Sequence, residues 1–453
     1  MDGQIISPQS RSTGNALVRL KWDKVNKQVP YGYIFLFFIA YYIGTELSIR
    51  TGIYSFRILG LMPGVYFLLK KMRFIVKTGI GSRRNKLFYL ALFVMALLHV
   101  RGLIMAGITS VMTVIVLLGL LIHILFWAVH GATVRTYDEF NRLLYYLTMG
   151  FLLTFMVVAL IPMNLLGNFS IGGHYNLEGA DGLHVPFITT SIEPPLWSAI
   201  VVVLSLTILL GRWGYHRYNP KINIFYLPTG ASLMILLIGL MEIFLINKRG
   251  PIFALFLALC VALILPFLLK SKLIYLIPLF VLLPLAWTFI ATFMLPVIQS
   301  PVVQALVTRT GVENITSATG RIVNWAFAFN HLLGFEWNAD YLLGVGNLEE
   351  YWDMGPYGHA HNSLLQLLIQ TGVLGAVINA SLIYNTLYKI RYSYLRDTVS
   401  SGSQILFTIF ILLIFLTATE SLFLTIYFTN LLFIAVIILI DVHHRLVKKM
   451  DST

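Results

Sequence analysis

Along most of its length the chain alternates between long apolar runs and short breaks that carry charge, glycine or proline. A helix needs roughly 20 apolar residues to cross the hydrocarbon of a bilayer, and about twelve runs approach that length. They fall near 31–49, 53–69, 87–100, 103–129, 143–163, 195–211, 226–246, 250–269, 273–295, 363–388, 404–419 and 422–441. These are continuous runs, not the alternating ten-residue segments of a transmembrane barrel. The pattern therefore predicts an all-α fold: a polytopic membrane helical bundle of about twelve transmembrane helices. The third run is short enough to be re-entrant.

Composition points the same way. The 453 residues are 58% hydrophobic and 11% charged, with a mean hydropathy of +0.81, far from the balance of a soluble domain. The first thirty residues are polar and basic, with Arg11, Arg19, Lys21, Lys24 and Lys27, and no cleavage site follows a short apolar core. The first run is therefore expected to stay in the protein. Cys260 is the single cysteine and lies inside an apolar run, so no intrachain disulfide braces an external loop.

The net charge of +13 would suit nucleic acid in a soluble protein. In a membrane protein the placement of Lys and Arg matters more. Of the 32 basic residues, 25 fall in the N-terminal tail, in the loops after the second, fourth, sixth, eighth and tenth runs, and in the C-terminal tail. All then share one side, and both termini are cytoplasmic. Segment 164–194 has no Lys or Arg, as a segment on the far side should. The expected organisation is a cytoplasmic tail (1–30), helices one to nine (31–295), a large external loop (296–361), helices ten to twelve (362–442) and a second cytoplasmic tail (443–453).

Seven cations break this distribution: Arg50, Arg57, Arg101, Lys248, Arg249, Arg309 and Arg321. A cation held near the bilayer is costly by a few kcal/mol and usually has an anionic partner or ligand. The adjacent pair in "INKRGP" is the least explained by insertion, although Arg249 could also snorkel to a lipid phosphate. Arg57 has Glu46 as a plain partner, and Arg50 and Arg101 read as interfacial anchors.

The loop 296–361 is long and mixed in composition, which suggests a functional element. "TGRIVNWAFAFNHLL", Thr319 to Leu333, has helical apolar spacing with Arg321 in its first turn. Trp325, Trp337 and Trp352 suit either a headgroup belt or the faces of sugar rings. "GVGNLEEYW" lacks the strand and helix context of a nucleotide site. Glu349, Glu350 and Asp353 could join His359 and His361 at a metal, but histidines two apart fall on different helix faces and no HExxH spacing occurs.

The loop ends in "HAHNSLLQLLIQTGVLGA", and here the chain resembles the O-antigen polymerase and ligase superfamily of bacterial membrane glycosyltransferases. That family's signature is His followed by Asn, Ser or Gln, then nine residues, then G-x-x-G. It reads here as His361, Asn362, residues 363–371, Gly372 and Gly375, without a gap. "TGRIVNW" is similar to its T-G-R-x-x-x-W segment, "LLGVGN" to its Leu-Gly-x-Gly turn, and "KRGP" to its external Arg-Gly pair. The ordered set covers roughly residues 240 to 390. The resemblance implies transfer of a glycan from a polyprenyl diphosphate carrier, on the periplasmic side of the bacterial inner membrane, to an acceptor hydroxyl.

Such a transfer needs a proton acceptor and positive charge for the departing diphosphate. A neutral imidazole suits the first task, which assigns His361 as general base. Arginine suits the second, which assigns Arg249 and Arg321 as a diphosphate clamp that uses no metal and no cofactor. His359, Asn362, Glu420 and Lys248 are expected to support the site, with Asn362 better suited to capping the tenth helix. Gly372 and Gly375 are expected to let another helix approach closely.

The reading is a polymerase that extends polyprenyl-diphosphate-linked repeat units into an O-antigen, capsule or exopolysaccharide. Partners would be the lipid-linked donor, a glycan or lipid acceptor, membrane lipids, a chain-length regulator and a flippase, and no nucleic acid. The alternatives are a ligase acting on lipid A core, or an O-oligosaccharyltransferase. Arg309 with Gly320 resembles an R-x10-G pattern of some polymerases, a spacing that also arises by chance. A flippase or transporter would fit twelve helices and a cationic cavity, but no repeated halves or paired broken helices occur.

Overall fold

The computed structural model describes residues 32–51, 55–78, 86–105, 111–160, 194–212, 229–246, 249–282, 339–345, 362–396, 401–417 and 428–451, with the single residues 286 and 332. Among these the fold is all-α. The helices are α1 (Gly32–Thr51), α2 (Ser55–Thr78), α3 (Lys86–Met105), α4 (Val111–Thr133), α5 (Tyr137–Leu160) and α6 (Pro194–Arg212). They continue with α7 (Thr229–Ile246), α8 (Arg249–Lys270), a 3-10 helix (Lys272–Leu282) and the short α9 (Ala339–Leu343). The C-terminal three are α10 (Ser363–Leu395), α11 (Ser401–Leu416) and α12 (Phe428–Asp451).

Each apolar run of the sequence falls on one of these elements, α9 being the addition. The third run, short in hydropathy, is a full helix, because α3 continues through His99 and Arg101 to Met105. The ninth run begins as a 3-10 helix around Pro278, a residue that cannot donate to an α-helical ladder.

Local chemistry explains several boundaries. The α5 start is a capping box: Thr136 Oγ1 accepts from the Glu139 N–H at 3.2 Å, and Glu139 Oε2 accepts from the N–H groups of Thr136 and Arg135 at 3.2 and 2.6 Å. Helices α1 and α2 meet through glycine. A Cβ on Gly44 would run into the Phe56 carbonyl oxygen, and one on Gly60 would lie 2.6 Å from that of Ala40. Only small residues permit backbones to approach so closely.

Helices α11 and α12 form the hub. Residues 403–416 of α11 are all buried, and α12 is buried from Leu432 to His444. They are apolar all round because they have neighbours all round. Helix α11 packs on α6, α8 and α12, and α12 packs on α4 and α10. The outer helices invert the soluble pattern: Leu59, Phe256 and Phe267 are more than 60% exposed, in company with Leu36, Leu90, Phe93 and Leu237. So much exposed apolar surface suits lipid and not water. Among the described residues one helix, Ser363–Leu395, is long and apolar enough by length and composition to cross a membrane.

One end of the bundle is basic and tightly tied. Lys389 of α10 donates to Asp441 of α12 at 2.6 Å, both side chains being at most 9% exposed, and Arg445 lies 3.5 Å from the same carboxylate. The Lys389 ammonium also sits 4.6 Å from the centre of the Phe88 ring on α3, and Arg445 donates to the Gly131 carbonyl of α4 at 2.9 Å. These contacts set the level at which α3 begins and α4, α10 and α12 approach their ends.

Candidate functional site

The start of α10 lies at the opposite end, and its first residues explain how it is held. Asn362 is extended (φ −149°, ψ 123°), and its side-chain oxygen accepts from the N–H groups of Leu364 and Leu365 at 3.0 and 3.1 Å. It is the N-cap, with its side chain spent on two backbone donors that would otherwise be orphaned. The Ser363 N–H donates to the carbonyl of Thr417 at 2.9 Å, so the start of α10 is pinned to the end of α11.

Helix α10 is two helices joined at a bend. Gly372 has φ 64° and ψ −170°, a left-handed conformation that disfavours any residue with a Cβ. In an unbroken helix the Ile369 carbonyl would accept from residue 373. Beside the bend it accepts from the Val345 N–H at 2.9 Å. Gly344 is also left-handed (φ 72°), and its own N–H donates to the Asp340 carbonyl at 2.8 Å, which closes α9.

Of the two glycines of the G-x-x-G, Gly372 admits the backbone of another helix, α9, as expected from sequence, and it also bends α10, whereas Gly375 makes room within α10 itself. A Cβ on Gly372 would strike the Leu342 carbonyl, and one on Gly344 would strike the backbone between Gln370 and Thr371. Gly375 serves the inside of the bend, where a Cβ would collide with Cβ and Oγ1 of Thr371. Side chains four apart in a straight helix stand about 5–6 Å apart at Cβ. Gly372 makes the bend and Gly375 leaves room for it.

Arg101 also departs from expectation. It is not simply an interfacial anchor: its guanidinium donates to Asp340 Oδ1 at 2.7 Å, with the two side chains 17% and 37% exposed. Helix α3 is thereby tied to α9, and α9 to the bend of α10. The sequence signal was present, since Arg101 is one of the cations on the wrong side, but a partner 239 positions away is not readable from a pattern.

Arg249 opens α8. At the far end of that helix the Lys270 carbonyl accepts from Arg391 of α10 at 3.4 Å, so α8 and α10 run in the same direction. With 22 residues at about 1.5 Å each, the start of α8 lies at the end of the bundle that holds the start of α10. A cation at a helix N-terminus adds to the positive end of the helix dipole, which favours an anion there. Lys248, Arg321, His359, His361 and Glu420 lie outside the described residues, as do Glu349, Glu350 and Asp353. His361 directly precedes the Asn362 cap, and Glu420 follows Thr417 by three positions.

A further polar feature escaped the sequence reading. Asn362, Gln366 and Gln370 recur every four residues before the bend and all three are buried. "NSLLQLLIQ" carries that spacing openly, but the apolar count around it masks the stripe.

Among the described residues the architecture is helical, with apolar residues turned outward as in an integral membrane protein, and α9, the bend of α10 and the Asn362 cap are joined in one part of the bundle. Residues 230–380, from α7 into the second half of α10, match the family model described as O-antigen ligase. Proteins of that family are integral membrane enzymes that transfer lipid-linked glycans. The matched stretch is about one third of the chain, and it contains Arg249, Arg321, Asp340, Gly344, His361 and both glycines of the bend. No curated protein matches the chain.

Proposed function

We propose that the protein is a periplasmic-face glycosyltransferase that extends polyprenyl-diphosphate-linked repeat units into a cell-surface polysaccharide. The observation that carries this is the matched segment 230–380, within which Arg249 and the Asn362 cap belong to helices that start at the same end of the bundle. In this reading all twelve long elements cross the inner membrane and the basic end faces the cytoplasm.

The acceptor hydroxyl attacks the anomeric carbon of the lipid-linked donor. Its proton passes to the neutral imidazole of His361, a new carbon–oxygen bond forms, and the bond from that carbon to the diphosphate oxygen breaks. The electron pair leaves with the diphosphate, which stays on its polyprenyl carrier and is stabilised by Arg249 and Arg321. Asn362 orients the neighbouring histidine by fixing the helix start. Purified protein supplied with lipid-linked repeat units should lengthen them, and His361→Ala should lower the rate by a factor of about 10² to 10⁴. Near-normal elongation by that variant removes His361 as the base.

A ligase is the second reading, favoured by the printed description of the matched family. The product separates the two: longer glycan still on the polyprenyl carrier means polymerase, and glycan moved to lipid A core means ligase.

A further inference from the structure

Arg101 lies on α3, far outside the matched segment, and is not among the groups to which the transfer chemistry assigns a role. We propose that Arg101 is a positioning residue: with Asp340 it latches α9 against the bend of α10 and so holds the helix start that carries His361. The inference rests on the transferase reading for its purpose, though not for its geometry.

The geometry forms a chain of short links. Arg101 donates to Asp340 at 2.7 Å, and Gly344 closes α9 through its bond to the Asp340 carbonyl. The next residue, Val345, donates to the Ile369 carbonyl beside the bend at Gly372. Gly344 rests on the Gln370–Thr371 backbone and Gly372 on Leu342. The helix between the Asn362 cap and the bend is thus held at one end by Thr417 and at the other by residues 342–345.

Helix α9 rests mainly on α10. It has five residues, none of them buried, and α10 is its principal neighbour. A helix that short has no stability of its own. The ion pair to α3 adds a second helix to the anchorage that α10 provides. The pairing also explains why a cation stands at the far end of α3, against the general distribution of charge.

The full-length protein with Cys260→Ser and Val345→Cys, in membrane vesicles, tests the latch without reference to activity. Val345 is 7% exposed, so maleimide labelling of its thiol should be slow. Arg101→Gln or Asp340→Asn should speed labelling roughly tenfold by easing local opening. The swap Arg101→Asp with Asp340→Arg should return it toward the reference rate, and Arg101→Lys should stay near it. Unchanged labelling in both single variants overturns the latch.

The second arm complements a strain lacking the gene and measures surface polysaccharide at equal protein level. Single variants with Val345 and Cys260 intact should shorten or deplete it, with recovery in the swap. Fast labelling with normal polysaccharide overturns the positioning role. If the unaltered gene restores no polysaccharide, the transferase reading fails and the positioning role with it, while labelling still decides the latch.

Discussion

The N–H of Val345 donates to the carbonyl oxygen of Ile369 at 2.9 Å, three residues before the break of α10 at Gly372. An unbroken helix would consume that carbonyl internally. The bend at Gly372 thus brings a helix carbonyl into use as a docking point for the Gly344–Val345 turn that closes α9.

The bend should tolerate no side chain. Gly372→Ala combines an unfavourable backbone conformation with a clash against Leu342, and should cost about 1–3 kcal/mol or more. Gly375→Ala should also destabilise, through collision with Thr371. Thermal unfolding of purified protein in detergent reads both. If Gly375→Ala is harmless while Gly372→Ala is not, the space inside the bend is less restricted than these contacts indicate.

Asn362 offers a separation of structure from chemistry. Asn362→Ala should lose about 1 kcal/mol of helix-start stability, whereas Asn362→Asp retains an accepting oxygen and should lose far less. Glycan elongation should follow the same order. An Asp variant that folds normally yet is inactive would assign Asn362 a direct role on the sugar.

At the other end, the Lys389–Asp441 pair predicts an asymmetry. Asp441→Asn leaves Lys389 and Arg445 facing each other without an anion, and should cost about 3–5 kcal/mol. Lys389→Met should cost less, because Arg445 remains near the carboxylate. Unfolding midpoints of the two variants check the order; a reversed order would mean that Arg445 offers Asp441 no compensation.

For the diphosphate clamp, Arg321→Lys keeps the charge but loses the planar fork that can hold two phosphate oxygens. Elongation should fall by at least about tenfold, the equivalent of losing roughly one charge-assisted hydrogen bond. A Lys variant with full activity would argue for a point charge in place of bidentate binding.

Much of the architecture was legible beforehand because a bilayer imposes length and apolarity on every crossing element, and those are properties of consecutive residues. The runs at 31–49 through 422–441 therefore land on α1 to α8, the 3-10 helix and α10 to α12, and Asn362 announces a helix start by its chemistry alone. The HN-x9-G-x-x-G spacing likewise marked the stretch that the family model matches. Tertiary structure decided the remainder. That Gly372 bends the helix depends on a partner, Leu342 to Val345, which occupies the space; spacing alone could not distinguish a bend from a smooth helix contact. That Arg101 is paired depends on Asp340, 239 residues away, brought near by packing no local pattern encodes. Local propensity reads the elements, whereas the latch, the bend and the buried ion pair arise from contacts between distant parts of the chain.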